Sequence, residues 1–253
     1  MIKIIYGKTE LDAGKNGADV ITDLLKNKPD AVLGLATGSS PIGMYKELIA
    51  RCEKGEISFK DVKSVNLDEY VGLEPTHDQS YSYFMHDNLF NHVDIKEENT
   101  NLPSGICADP VAECARYDAV VASMGGVDLQ VLGIGNNGHI GFNEPAQSFS
   151  KGTGLVKLTD STIDANARFF EKREDVPTHA LSMGVGQIME AKSVLLLAMG
   201  KGKAEILEKS LFGDVTPMVP ASILQFFKGE VVVCADEEAL SVILEKHPEA
   251  VTK

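Results

Sequence analysis

Apolar positions along the chain follow two alternating rhythms. Short, nearly continuous runs at Ile2 to Tyr6, Ala31 to Ala36, Val62 to Leu67, Leu129 to Leu132, Val194 to Met199 and Val231 to Ala235 read as buried strands. Between them, apolar residues recur at the 3.6-residue helical period: Ala18, Ile21, Leu24 and Leu25 within Leu11 to Lys26, and Ile42, Tyr45, Leu48 and Ile49. Further helices are predicted over Ser80 to Asn91 and from the capping pair Asp109-Pro110 through Met124. GLVKL reads as a further strand and Asp160 to Phe169 as a helix. The last third repeats the rhythm: strand His179 to Met183, helix Val185 to Ala191, a helix opened by GKGKAEIL, and a final helix Glu237 to Glu245. Apolar strands alternating with amphipathic helices predict an α/β fold: a doubly wound, mostly parallel sheet with helices on both faces. No linker, repeat or low-complexity seam interrupts it, so residues 1–253 are read as a single domain.

Charge narrows the partners. The formal net charge is −13, from 37 acidic and 24 basic residues. That balance argues against nucleic acid or an anionic membrane, and an anionic small molecule would need a local basic site. MIKIIYGKTE reads as a strand rather than a leader, and no apolar run approaches the ~18 residues of a membrane span. A soluble, cytoplasmic protein is expected. Cys52, Cys107, Cys114 and Cys234 lack C-x-x-C spacing and read as reduced thiols, and no histidine pair at helical spacing suggests a metal.

Candidate chemistry gathers where strands end. LQVLGIGNNGHIGFNEPA, residues 129 to 146, is a buried strand breaking into a glycine-rich loop that carries Asn136, Asn137, His139, Asn143 and Glu144. Loops at the carboxyl ends of strands are where ligands bind in open α/β sheets. GIGNNG is not a dinucleotide fingerprint, because Pro145 denies it the helix a pyrophosphate requires. The turn Thr37 to Pro41 offers Gly38 for close backbone approach, the hydroxyls of Ser39 and Ser40, and Pro41 at the helix start. Helix capping and anion binding are equally served by it. Asp68 and Glu69 follow a strand, and a carboxyl beside a second one in a closed pocket is raised toward the range of a general base. Lys201 and Lys203 lie where a strand meets a helix, and residues 158–177, including Arg168, are a candidate active-site lid.

The segments LGLATGSSPIGMY, NLDEYVGL, SYSYFM, LGIGNNGHIGFNEPA, ANARFF and GKGKA, in this order and spacing, resemble the glucosamine-6-phosphate deaminase family through almost the whole chain. The resemblance implies the same doubly wound fold and the conversion of D-glucosamine 6-phosphate and water to D-fructose 6-phosphate and ammonium, without cofactor or metal. It implies Asp68 as the enolising base, His139 and Glu144 as the ring-opening group, and Gly38, Ser39, Arg168 and Lys203 at substrate or phosphate positions, with Ser40 beside them. Where many members carry aspartate this chain has Asn137, which can orient His139 but cannot titrate, so ring opening leans on Glu144. A 6-phosphogluconolactonase-like hydrolase is the alternative, but lactone hydrolysis needs no base for an α-proton. A sugar-phosphate-sensing regulator is the third reading, and it predicts a broken acid/base set. A monomer is favoured, with a homo-oligomer as the alternative. Larger members of the family bind N-acetylglucosamine 6-phosphate between subunits, through basic residues that fall here on Gly154 and Val156 and through a longer carboxyl-terminal tail than one ending at Lys253. No such activation is expected.

Overall fold

The computed structural model describes residues 1–252, so Lys253, the last residue of the predicted domain, lies outside the described residues. The chain opens with β1 (Ile2–Gly7) and α1 (Glu10–Asn27). A capping box starts α1: Asp12 N–H donates to Thr9 Oγ1 at 3.2 Å, and Thr9 N–H donates back to Asp12 Oδ2 at 2.9 Å. Its buried stripe is Ala13, Ala18, Ile21 and Leu25, the period expected of an amphipathic helix. There follow β2 (Val32–Leu35), α2 (Ile42–Glu53), β3 (Lys63–Asn66), β4 (Asp68–Tyr70), α3 (Tyr81–Asn88), β5 (Thr100–Asn101) and α4 (Pro110–Ser123). Asp109 caps α4 by accepting from Val111 N–H at 2.9 Å and Ala112 N–H at 3.1 Å. The second half comprises β6 (Leu129–Gly133), β7 (Gly154–Lys157), α5 (Asp160–Asn166), β8 (His179–Ser182), α6 (Val185–Ile188), β9 (Ser193–Ala198), α7 (Ala204–Phe212), β10 (Glu230–Asp236), α8 (Ser241–Lys246) and β11 (Val251–Thr252).

Eight strands form one sheet in the order β11-β1-β10-β9-β6-β2-β3-β5, and every pairing in it is parallel. Because both faces are covered, β9 and β10 are apolar and buried almost throughout rather than alternating. From β2 the chain builds outward through β3 to β5, then returns to β6 on the other side of β2 and builds the opposite way. Right-handed crossovers in opposite directions place their helices on opposite faces. Accordingly α1 packs on α2, and α7 on α8. The reversal between β2 and β6 opens a crevice beyond their carboxyl ends, the switch point at which doubly wound sheets bind ligands.

One part of the architecture departs from the predicted alternation. Asp68 to Tyr70 is not a loop at a strand end but β4, and His179 to Ser182 is not a rung of the main sheet. Together with β7 they form a separate antiparallel sheet, β4-β8-β7, with Asp68 opposite Ser182 and Leu155 opposite Leu181. The chain turns away at Leu67, whose N–H donates to Leu35 O at 3.1 Å while its carbonyl accepts from Met183 N–H at 2.7 Å. A short apolar run announces a strand but not its partner. A second small core, Tyr70, Phe142, Leu158, Ile163, Val176 and Ala180, lies under the 158–177 segment. The predicted final helix starts four residues late, at Ser241, because Asp236 Oδ1 captures Ala239 N–H at 2.8 Å in a turn. Among the described residues, no helix is long and apolar enough to cross a membrane.

Candidate active site

A cleft of ≈ 670 Å³ occupies the switch point, lined from β2 by Thr37 to Ser40, from β4 by Asp68, from the β6 loop by Asn136, Asn137 and His139, and from the 158–177 segment by Thr162 and Arg168. Lys203 completes the wall from the turn before α7. Of the residues singled out in the sequence, Glu144 stays behind this surface in contact with His139, and Glu69, Asn143 and Lys201 do not line the cleft either.

The β6 loop is folded tightly about its histidine. A Cβ on Gly135 would stand 2.2 to 2.4 Å from three atoms of the His139 ring, so only glycine leaves room for the imidazole. Asn137, read in the sequence as able to orient His139, also reaches Glu144: Nδ2 donates to Glu144 Oε2 at 2.6 Å, and Oδ1 lies 2.8 Å from His139 Nδ1. A carboxylate only accepts, so the amide nitrogen must face Glu144 and the amide oxygen must face the ring. The proton therefore sits on Nδ1, leaving Nε2 as the ring's free base. Glu144 Oε1 is 3.4 Å from the same Nδ1 and accepts the Thr162 hydroxyl. Burial opposes the Glu144 charge, but the hydrogen bond and charge of His139, then Thr162 and Asn137, hold its carboxyl down to about 2. Glu144 is a permanent anion behind an imidazole that can accept a proton.

Asp68 and Glu69 are both buried, 6% and 3% exposed, and they are used in opposite ways. Successive strand residues point to opposite faces. Glu69 turns away from the cleft and accepts backbone N–H groups from Tyr70 at 2.8 Å, Tyr81 at 2.9 Å and Ser82 at 2.9 Å, holding the start of α3. Asp68 faces the cleft, and among the described residues no hydrogen-bond donor reaches it. Burial, reinforced by the Glu69 charge, pushes the Asp68 carboxyl up to about 8. A bare carboxyl with that affinity can both take and return a proton near neutral pH.

The opposite wall suits an anion. Gly38 is at φ 87°, and no side-chain hydrogen bond caps α2, although Pro41 already has helical angles (φ −81°, ψ −10°) one residue before the helix proper. Ser39 and Ser40 hydroxyls have no partner among the described residues. The capping alternative for this turn is thus not what the structure shows. Lys203 Nζ donates to Asn136 Oδ1 at 2.6 Å, and neither it nor Arg168 has a carboxylate partner among the described residues. Burial first, then the Arg168 charge, lowers the Lys203 pKa. Two unpaired cations beside a serine turn repel one another, and a bound dianion relieves that repulsion. Among the described residues, no group of three His, Cys, Asp or Glu side chains could hold a metal ion.

Some lining residues escaped the sequence reading. Thr162 carries only the local signal of a Thr159-x-x-Thr162 cap, and Tyr81 that of a helix start. Tyr81 lies in the cleft wall with its ring against that of Tyr70, centroids 4.8 Å apart.

Residues 9–233 match the family model described as glucosamine-6-phosphate isomerases/6-phosphogluconolactonase. The chain is 55% identical over 236 residues to the glucosamine-6-phosphate deaminase of Lachnoclostridium phytofermentans, covering 93% of this chain and 100% of the relative. It is 52% identical over 240 residues to that of Clostridioides difficile, covering 95% and 96%. Among solved structures, a monomeric glucosamine-6-phosphate deaminase superposes with a TM-score of 0.92 at 43% identity, covering 95% of this chain and 99% of that one. A 6-phosphogluconolactonase from Trypanosoma cruzi shares the fold, with a TM-score of 0.76 at 17% identity over 95% of this chain and 96% of that one.

Proposed function

The chain belongs to the glucosamine-6-phosphate isomerase and 6-phosphogluconolactonase family, and from that premise we propose that it converts D-glucosamine 6-phosphate and water to D-fructose 6-phosphate and ammonium. In this reading the 6-phosphate sits against Gly38, Ser39 and Ser40 and between Arg168 and Lys203. His139 Nε2 takes the proton of the C1 hydroxyl and a proton reaches the ring oxygen, opening the pyranose, while Glu144 stabilises the imidazolium and Asn137 holds its tautomer. Asp68 then removes the C2 proton, which the neighbouring aldehyde has acidified, and returns it to C1. The imine left at C2 adds water and releases ammonium. The substrate's own carbonyl accepts the charge, so no cofactor is needed.

The observation that carries this choice is the bare Asp68 carboxyl, raised to about 8 and facing the cleft beside the histidine relay. Hydrolysis of a lactone has no carbon acid for it to serve, and the lactonase likeness at 17% identity speaks to the fold alone. We propose the same chain to act as a monomer, supported by its similarity to a deaminase described as monomeric. A cytoplasmic setting agrees with four free cysteines. The test is incubation with glucosamine 6-phosphate, assaying fructose 6-phosphate and ammonium together. Equal yields of both are expected; hydrolysis of 6-phosphogluconolactone with neither product formed would transfer the chain to the lactonase reading.

A further inference from the structure

Glu144 draws its donors from two places. Asn137 and His139 belong to the same loop as the carboxylate and travel with it. Thr162 is its one hydrogen-bond donor from elsewhere among the described residues, and it binds Oε1, the oxygen that also faces His139 Nδ1. The hydroxyl is itself oriented, since Thr162 Oγ1 accepts from Thr159 Oγ1 at 3.0 Å and so commits its own proton to Glu144. Thr162 is 7% exposed, in the first turn of α5, at the edge of the cleft. The other end of α5 is tied down by Asn166 Nδ2, which donates to the Tyr70 hydroxyl at 2.8 Å.

Resting on the deaminase reading, we propose that Thr162 is a positioning residue for opening the sugar ring, coupling the seating of α5 over the cleft to the orientation of Glu144 and, through it, of His139. With α5 seated, Glu144 has one oxygen held by Asn137 and the other by Thr162, and the carboxylate plane cannot rotate. With α5 displaced, Oε1 loses the one anchor that it has outside the loop among the described residues, and the imidazole loses the fixed anion that stabilises its protonated form. Ring opening is thereby confined to the state in which the cleft is covered.

Thr162→Val keeps the shape of the side chain and removes the donor. Its kcat on glucosamine 6-phosphate is expected to fall by between ~10-fold and ~10²-fold, the cost of a misplaced catalytic group, with KM little changed. Thr162→Ser, which restores the hydroxyl, recovers most of the loss, and Thr162→Ala reproduces it if valine crowds the turn. Two readouts separate positioning from mere support of the fold. The inhibition constant of 2-amino-2-deoxyglucitol 6-phosphate, which has no ring to open, should be unchanged in Thr162→Val, and adding Thr162→Val to Glu144→Gln should cost nothing more. Undiminished kcat in Thr162→Val, weakened binding of the acyclic ligand, or a fully additive double variant would each overturn the proposal. A wild-type protein that releases no ammonium would instead overturn the deaminase reading beneath it.

Discussion

In the proposed reaction Asp68 serves catalysis, and its burial works against stability at the same time. Its carboxyl is raised from 3.8 to about 8, by burial first and the Glu69 charge second. The folded protein therefore holds a proton that the unfolded chain has released between those values, and stability falls as pH rises across that window, the loss being complete above about 8. Asp68→Asn removes the liability. Its Tm should match the wild type near pH 4 and exceed it increasingly toward pH 8.5, by ~2–4 °C for each kcal/mol relieved. The same variant should lose turnover by at least ~10²- to ~10⁴-fold, the usual span of a general base, and should no longer exchange the substrate's C2 proton with solvent. Normal exchange would place the base elsewhere. Asn137→Asp tests the relay. The new carboxyl lies where Nδ2 now donates to Glu144 at 2.6 Å, and two carboxylates that close share a proton. The expected pH-rate profile keeps its activity and gains an ionisation as that proton leaves. An unchanged profile would mean that position 137 takes no part in the relay.

At the scale of elements, the site is an encounter between the turn before α2, the turn before α7 and the 158–177 segment. A charge-assisted hydrogen bond contributes ~1.5–3 kcal/mol, so Lys203→Ala and Arg168→Ala should each lower kcat/KM by ~10- to ~10²-fold. The two should differ in kind. Lys203 stands on the main body beside Asn136, and its loss should appear in KM. Arg168 follows α5 in a short 3₁₀ turn, stacked over Phe169 at 4.6 Å, and its loss should lower kcat as well if residues 158–177 close as the proposed lid. Glucosamine lacking the phosphate should be a poor substrate of the wild type; equal efficiency on both sugars would refute the anion assignment.

Regulation belongs to the whole molecule, because an effector acts only through a difference in affinity between two global states. Gly154 and Val156, where larger relatives place basic residues, here occupy the half-buried positions of β7, while Lys151 and Lys157 are exposed to solvent. The expectation is that this stretch offers N-acetylglucosamine 6-phosphate no difference in affinity between two states. Substrate saturation should be hyperbolic with and without it, and light scattering should report a monomer. A sigmoidal curve that becomes hyperbolic on adding the compound would contradict this.

Sequence alone determined the elements and the chemistry that lies close along the chain. Apolar period marked six strands of the eight-stranded sheet, missing the two-residue edge strands β5 and β11, together with the helices that cover it, and the β6 loop already held Asn137, His139 and Glu144 within eight residues. Three things waited for the tertiary structure. The run at 179–182 was legible as a strand, but its antiparallel pairing with Asp68–Tyr70 and Gly154–Lys157 was not. The division of labour between Asp68 and Glu69 came from β4, which turns one toward the cleft and the other toward three backbone donors. Thr162, eighteen residues beyond Glu144, became its partner only once α5 had packed beside the loop. The reason is common to all three. Periodicity records which face of an element must leave water, a property of a few neighbouring residues, whereas partner choice, burial of a charge and contact between distant side chains are settled by how those faces are shared out when the chain closes on itself.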